Sequence, residues 1–161
     1  MKIINIGMGE MYITDSASTV LVAPGLGSCV GLTMYDPEKR VGAMAHIVLP
    51  ESLSTKKNTL LGKYANEAVP ELLKGMIKLG SRKENIVVKF SGGAQMFTLE
   101  KGANVLNIGV RNVLAVKQIL QEEGMKVKNS DTGGNKGRTM RLDIASGNVF
   151  VKIIGQQEIE L

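Results

Sequence analysis

The chain holds one thiol and one imidazole, Cys29 and His46, and the surroundings of the thiol are unusual for a core residue. Cys29 sits in Pro24-Gly25-Leu26-Gly27-Ser28-Cys29-Val30-Gly31, straight after a glycine-rich turn and at the head of an apparent strand. In such a turn the amides of Gly27, Ser28 and Cys29 can converge on one point, which is what an oxyanion forming beside an attacking sulfur requires. A thiolate is the competent nucleophile. An imidazolium beside it lowers the thiol pKa and supplies the proton that a departing amine needs. Amide hydrolysis is the chemistry this pair fits. The same residues also fit a buried thiol packed as a small hydrophobe and a hydrogen-bonded core histidine, and on spacing alone that is the commoner situation.

Other chemistries find less support. A structural zinc site draws several Cys, His or carboxylate ligands from short spacings, and one Cys with one His falls short, so no metal is expected. No glycine turn is followed by the Gly-Lys-Ser/Thr of a phosphate loop, and no cofactor is expected. Gly133-Gly134-Asn135-Lys136-Gly137-Arg138 offers amides and positive charge to an anion, but a glycine-rich hairpin turn is the commoner explanation. The net charge of +5 and pI near 9.4 suit an acidic partner of any kind. With no Trp, three Tyr and three Phe, bases have little to stack on, and the Lys and Arg are scattered. Nucleic acid is therefore not expected as a partner.

The elements that must position Cys29 and His46 are strands. Glu10 to Thr14, Thr19 to Ala23, Val30 to Tyr35 and Val41 to Leu49 are rich in Val, Ile and Thr and read as a meander-like region. Asp36-Pro37 starts a turn, and Pro24-Gly25-Leu26-Gly27 breaks the run before the thiol. Pairing Val30–Tyr35 with Val41–Leu49 across that turn brings His46 level with the residues just before Val30, within reach of Cys29. After a polar stretch from Glu51 to Asn58, residues Ala65, Ala68, Val69, Leu72, Leu73, Met76 and Ile77 recur at helical spacing up to Gly80. Pro70 falls inside this pattern and predicts a kink or a new start. Ile86 to Phe90 reads as a strand running into Ser91-Gly92-Gly93-Ala94. A second helix follows Gly109, with Val110, Val113, Val116, Ile119 and Leu120 as its stripe and Gly124 as its stop. Met125–Asn129, Arg138–Ile144 and Val149–Ile154 read as strands, the last two as a hairpin. Strands at both ends around two helices predict an α+β layered domain with mixed or antiparallel sheets.

At 161 residues and 43% hydrophobic content, one domain with an ample core is expected. A single cysteine forms no intrachain disulfide, the opening apolar run is too short for a signal peptide, and no stretch approaches about 18 continuous apolar residues. These features predict a cytoplasmic protein without membrane insertion.

Six separated blocks resemble the CheD family in order and spacing. They are Gly25-Leu26-Gly27-Ser28-Cys29-Val30, Gly42-Ala43-Met44-Ala45-His46-Ile47-Val48-Leu49-Pro50, Gly62-Lys63-Tyr64-Ala65, Gly92-Gly93-Ala94-Gln95-Met96-Phe97, Asn107-Ile108-Gly109-Val110-Arg111-Asn112 and Asp131-Thr132-Gly133-Gly134. The resemblance implies a layered α/β domain related to bacterial toxin deamidases. It implies deamidation of selected glutamines on the cytoplasmic helices of chemotaxis receptors through a thioester, with Cys29 as nucleophile, His46 as base and acid, and the phosphatase CheC as a partner. A weak or inactive module that docks on CheC or on receptor helices is the alternative. One position departs: the family threonine that orients the histidine is replaced by Ala23, six residues before Cys29, with Pro24 after it. Thr19 is no substitute, because four strand residues put it roughly 13 Å away. A main-chain carbonyl or a bound water could then hold the imidazole. The whole expectation is an ionised thiol against the imidazole at a mouth open to solvent.

Overall fold

The computed structural model describes residues 1–56, 59–96 and 107–161. Ten strands and two α-helices follow in order among these residues: β1 (Lys2–Asn5), β2 (Met11–Thr14), β3 (Thr19–Leu26), β4 (Val30–Asp36), β5 (Val41–Ile47), α1 (Ala65–Lys78), β6 (Val87–Gly92), α2 (Ile108–Glu122), β7 (Val127–Thr132), β8 (Arg138–Asp143), β9 (Val149–Ile153) and β10 (Ile159–Glu160). They form two five-stranded sheets, β1-β3-β8-β9-β10 and β2-β5-β4-β6-β7. Both sheets are mixed: β1 with β3 and β6 with β7 are parallel, and the other ladders are antiparallel. The expected α+β layered class is the one observed. The expected meander is not: β3 leaves the sheet of its chain neighbours to join β1 and β8, so the N-terminal strands are divided between the two sheets.

Strands β4 and β5 are buried along their whole length because both of their faces are covered. Toward the helices, Val30, Leu32, Met34, Val41, Ala43, Ala45 and Ile47 pack against Ala68, Val69, Leu72, Met76, Val116 and Leu120. Toward the other sheet, Tyr35, Met44 and Cys29 meet Leu21, Ala23, Leu26, Met140 and Leu142. The molecule thus has three layers, sheet, sheet and helices, with two cores on either side of β4 and β5. Each fully buried Leu or Met of these cores contributes on the order of 1.5–3 kcal/mol.

Helix α1 runs unbroken through Pro70, so the chain does not restart there. The proline lies in the second turn, where the one backbone bond it forgoes is outweighed by the buried stripe from Ala65 to Met76. Ile77, counted in that stripe by spacing, is half exposed, and Val110 of the second helix likewise. The buried face of α2 is Gly109, Asn112, Val113, Val116 and Leu120, with a polar residue in the stripe. Gly80 and Gly124 end the helices with positive φ, as their positions after the apolar stripes imply. The hairpin of β8 and β9 is observed. Lys57 and Asn58 of the polar stretch and Phe97 of the Gly92–Phe97 block lie outside the described residues.

Candidate active site

The segment carrying Cys29 is the junction of the two sheets. Strand β3 was expected to stop at Ala23, but it continues to Leu26 through a bulge. Ala23 pairs with Met140 and Leu26 with Arg138, leaving one extra residue on β3 at Pro24-Gly25. Gly25 has φ +64, which a side chain would strain. The chain then crosses to the other sheet in three residues, Gly27, Ser28 and Cys29, before β4 begins. All three of their carbonyls are held. Ala94 N–H donates to Gly27 O at 2.8 Å, Asn112 Nδ2 to Ser28 O at 2.9 Å, and Gly93 N–H to Cys29 O at 2.9 Å. Among the described residues none accepts from the N–H groups of Gly27 and Ser28.

His46 lies on β5, and the β4–β5 ladder places it opposite Gly31, with Val30 opposite Ile47. The imidazole is therefore level with the second residue of β4 rather than with those just before Val30, where it was expected; the difference is two residues if measured from Cys29. Because side chains alternate along a strand, a shift of two keeps the face, and Cys29 and His46 stand diagonally on the same side of the sheet. Diagonal neighbours on adjacent strands lie about 7–8 Å apart at the backbone, within reach of a ring. Gly31 stands beside them without a side chain. A Cβ there would lie 2.9 Å from Leu26 Cδ1 and 3.0 Å from Met140 Sδ, so residues of the facing sheet occupy that space.

The imidazole is oriented by the main chain. Its Nδ1 lies 2.9 Å from the carbonyl oxygen of Ile6. A carbonyl cannot donate, so Nδ1 carries the proton and the lone pair is on Nε2. Nε2 is buried and has no hydrogen-bond partner among the described residues. Ile6 is itself fixed, its N–H donating to Val22 O of β3 at 2.7 Å. Ala23 is wholly buried beside Cys29 in the inter-sheet core. The carbonyl of Ile6 supplies the orienting contact that a methyl cannot.

Electrostatics correct the sequence expectation of an ion pair at an open mouth. Cys29 is 7% exposed and His46 1%, and the thiol packs within the apolar inter-sheet core. Burial pushes the Cys29 thiol above its ordinary value of 9.0, partly opposed by its own backbone N–H. Burial also pushes the His46 imidazole below 6.5, opposed by the bond to Ile6 and the charge of Glu10. Both directions favour the uncharged forms, a neutral thiol and a neutral imidazole. The chemistry open to a neutral thiol and a neutral imidazole is proton transfer from sulfur to Nε2 as a nucleophile attacks.

The expected turn residues Gly25, Gly27 and Ser28 do flank the thiol, with Met96 covering Gly27: a Cβ there would lie 3.0 Å from Met96 Cγ. Sequence reasoning missed Ile6, Gly31 and Asn112. Of these only Asn112 left a signal, a polar residue at a stripe position of an amphipathic helix. The Gly133–Arg138 segment is not the hairpin turn expected, because it carries the chain from β7 in one sheet to β8 in the other. Arg138 is buried, donates to the carbonyls of Asp131 and Gly133, and pairs with the Asp131 carboxylate at 3.0 Å, so its charge is spent internally.

No helix among the described residues is long and apolar enough to cross a membrane, and no cluster of three potential metal-ligating side chains occurs among them. A Yersinia pseudotuberculosis structure, the C-terminal domain of CNFy, overlays 99% of this chain and 62% of its own at a TM-score of 0.46 and 7% identity. Sequence likeness is closer. A probable chemoreceptor glutamine deamidase CheD of Clostridium botulinum (strain Eklund 17B / Type B) is 39% identical over 158 residues, 98% of this chain and 97% of that one. Its counterpart in Clostridium kluyveri is 42% identical over 157 residues, 96% and 95% of the two chains. The family model described as CheD chemotactic sensory transduction matches residues 48–153. With relatives aligned along nearly its full length on either side of the Cys29–His46 junction, the chain belongs to the CheD family.

Proposed function

We propose that this protein hydrolyses glutamine side chains to glutamate on the cytoplasmic helices of chemotaxis receptors, through a thioester on Cys29. The observation that carries the reading is the shared face of Cys29 and His46 on paired strands, with Nδ1 committed to Ile6 and Nε2 left as the base. In the first half-reaction the sulfur bonds to the amide carbon while Nε2 takes the thiol proton. The tetrahedral oxyanion faces the amides of the Gly27–Cys29 turn. Its collapse breaks the carbon–nitrogen bond, and Nε2 returns the proton to the leaving nitrogen, which departs as ammonia. In the second half-reaction water attacks the thioester, Nε2 accepts its proton and passes it to the departing sulfur, and the thiol and a glutamate are released. The sum is glutamine plus water giving glutamate plus ammonia. Only the tip of a side chain has to reach the sulfur of Cys29, a residue 7% exposed. In the cell this reaction serves receptor adaptation.

The test is ammonia release and conversion of amide to acid on a receptor cytoplasmic fragment, read by mass spectrometry. Cys29→Ala should abolish both; a Cys29→Ala protein as fast as the parent ends the assignment. The burial of the thiol and the methyl at Ala23 favour a second reading, a module that docks on CheC or on receptor helices without turnover. Binding of either partner by a parent protein that releases no ammonia would support that reading.

A further inference from the structure

We propose that Asn112 is a positioning residue for the deamidation, turning the backbone N–H of Cys29 into the site by holding the carbonyl of Ser28 from behind. The inference rests on the deamidase reading above and deepens it. A trans peptide is planar, and its C=O and N–H point in opposite directions. The peptide between Ser28 and Cys29 has its oxygen bound by Asn112 Nδ2 at 2.9 Å, on the helix side of the sheet. The N–H of Cys29 must therefore face the other side, where the thiol and His46 stand. The peptide before it has its oxygen bound by Ala94 N–H at 2.8 Å, so the Ser28 N–H points away from Ala94.

The second hydrogen of the same Nδ2 goes to Val48 O at 2.9 Å, just past the end of the strand that carries His46. One side-chain amide thus ties the nucleophile's turn to the histidine's strand. Asn112 is wholly buried in the apolar stripe of α2, and its Oδ1 has no partner among the described residues. An aliphatic residue would fill that position without a stranded oxygen, so the side chain's contribution to the fold is its two donated bonds.

The experiment compares two reactions of one sulfur. Deamidation builds an oxyanion; alkylation by iodoacetamide displaces iodide and builds none. In Asn112→Ala, kcat for ammonia release from the receptor fragment should fall by about 10- to 1000-fold, the range for a lost or misaimed oxyanion donor. KM and the Cys29 alkylation rate should stay within about threefold of the parent, because neither depends on that donor. Asn112→Leu, which fills the stripe without donating, should behave alike and serves where the smaller variant does not fold. Undiminished kcat in a folded variant overturns the proposal. So do parallel losses of kcat and alkylation, or failure of both variants to fold, each of which makes the clamp merely structural. A parent protein that releases no ammonia overturns the deamidase reading instead, and the positioning role with it.

Discussion

The Nδ1 of His46 donates to the main-chain carbonyl of Ile6 at 2.9 Å, so a backbone oxygen performs the orienting task for which the sequence offers no side chain. This has a consequence for Ala23. If the tautomer is already set, restoring a hydroxyl by Ala23→Thr gains little: kcat/KM should stay within about threefold of the parent. Ala23 is wholly buried opposite Met140, and the added atoms should destabilise the protein by about 1–3 kcal/mol, read as a lower urea midpoint. A large acceleration would mean that the Ile6 carbonyl orients the ring poorly.

The base itself is tested by His46→Gln. Glutamine is close in length and keeps a donor for Ile6, but no titratable nitrogen remains where Nε2 was. Ammonia release should fall by about 10²–10⁴-fold, the usual share of a general base. A variant retaining a third or more of the parent rate would remove His46 from the reaction.

The neutral resting pair has a pH signature. Burial holds His46 below 6.5, so the base is lost to protonation only at more acid pH; burial holds Cys29 above 9.0, so the thiol proton is lost only at more alkaline pH. The kcat/KM profile of the free protein should be flat between those values, with both limbs outside them. Stability follows the same signs. It should decline as pH falls below 6.5, where the unfolded chain binds the imidazole proton more readily, and decline again above 9.0, where the unfolded thiol ionises first. Iodoacetamide labelling should be slow at neutral pH and rise past 9.0. An alkaline limb well under 9.0, with fast labelling at pH 7, would mark an ion pair and contradict the burial argument.

How much of this could be read from residues alone depends on the range of the interaction. The facing of Cys29 and His46 was legible because it is local: Asp36-Pro37 joins adjacent strands, and period-two alternation preserves the face even when the register is off by two. The two helices were legible from their apolar spacing. Strand β1 was not, since Ile3 is exposed on a short parallel edge and leaves no alternating signature. The continuation of β3 was hidden by Pro24-Gly25, which in sequence look like an end and in the sheet form a bulge. The Ile6 carbonyl carries no residue signature, and the partners of Asn112 lie 84 and 64 residues away along the chain.

Gly109 offers a last test of how the site is held. A Cβ there would run into the carbonyl oxygens of Gly93 and Ala94, and the N–H groups of these two residues hold the carbonyls of Cys29 and Gly27. Those contacts are backbone on both sides, so no flexible side chain can give way. Gly109→Ala must push α2 from the Gly93–Ala94 segment, and both the fold and the nucleophile's turn should suffer. We expect a loss of about 1–3 kcal/mol in stability. We also expect kcat to fall at least about tenfold, through misaimed amides in the Gly27–Cys29 turn. Gly80→Ala is the control. Its φ of +99 makes the substitution strained, but nothing lies within 4 Å of the added carbon. It should lose about 1 kcal/mol with kcat unchanged. Equal effects of the two substitutions on kcat would show that the turn responds to stability in general and not to the Gly93–Ala94 clamp.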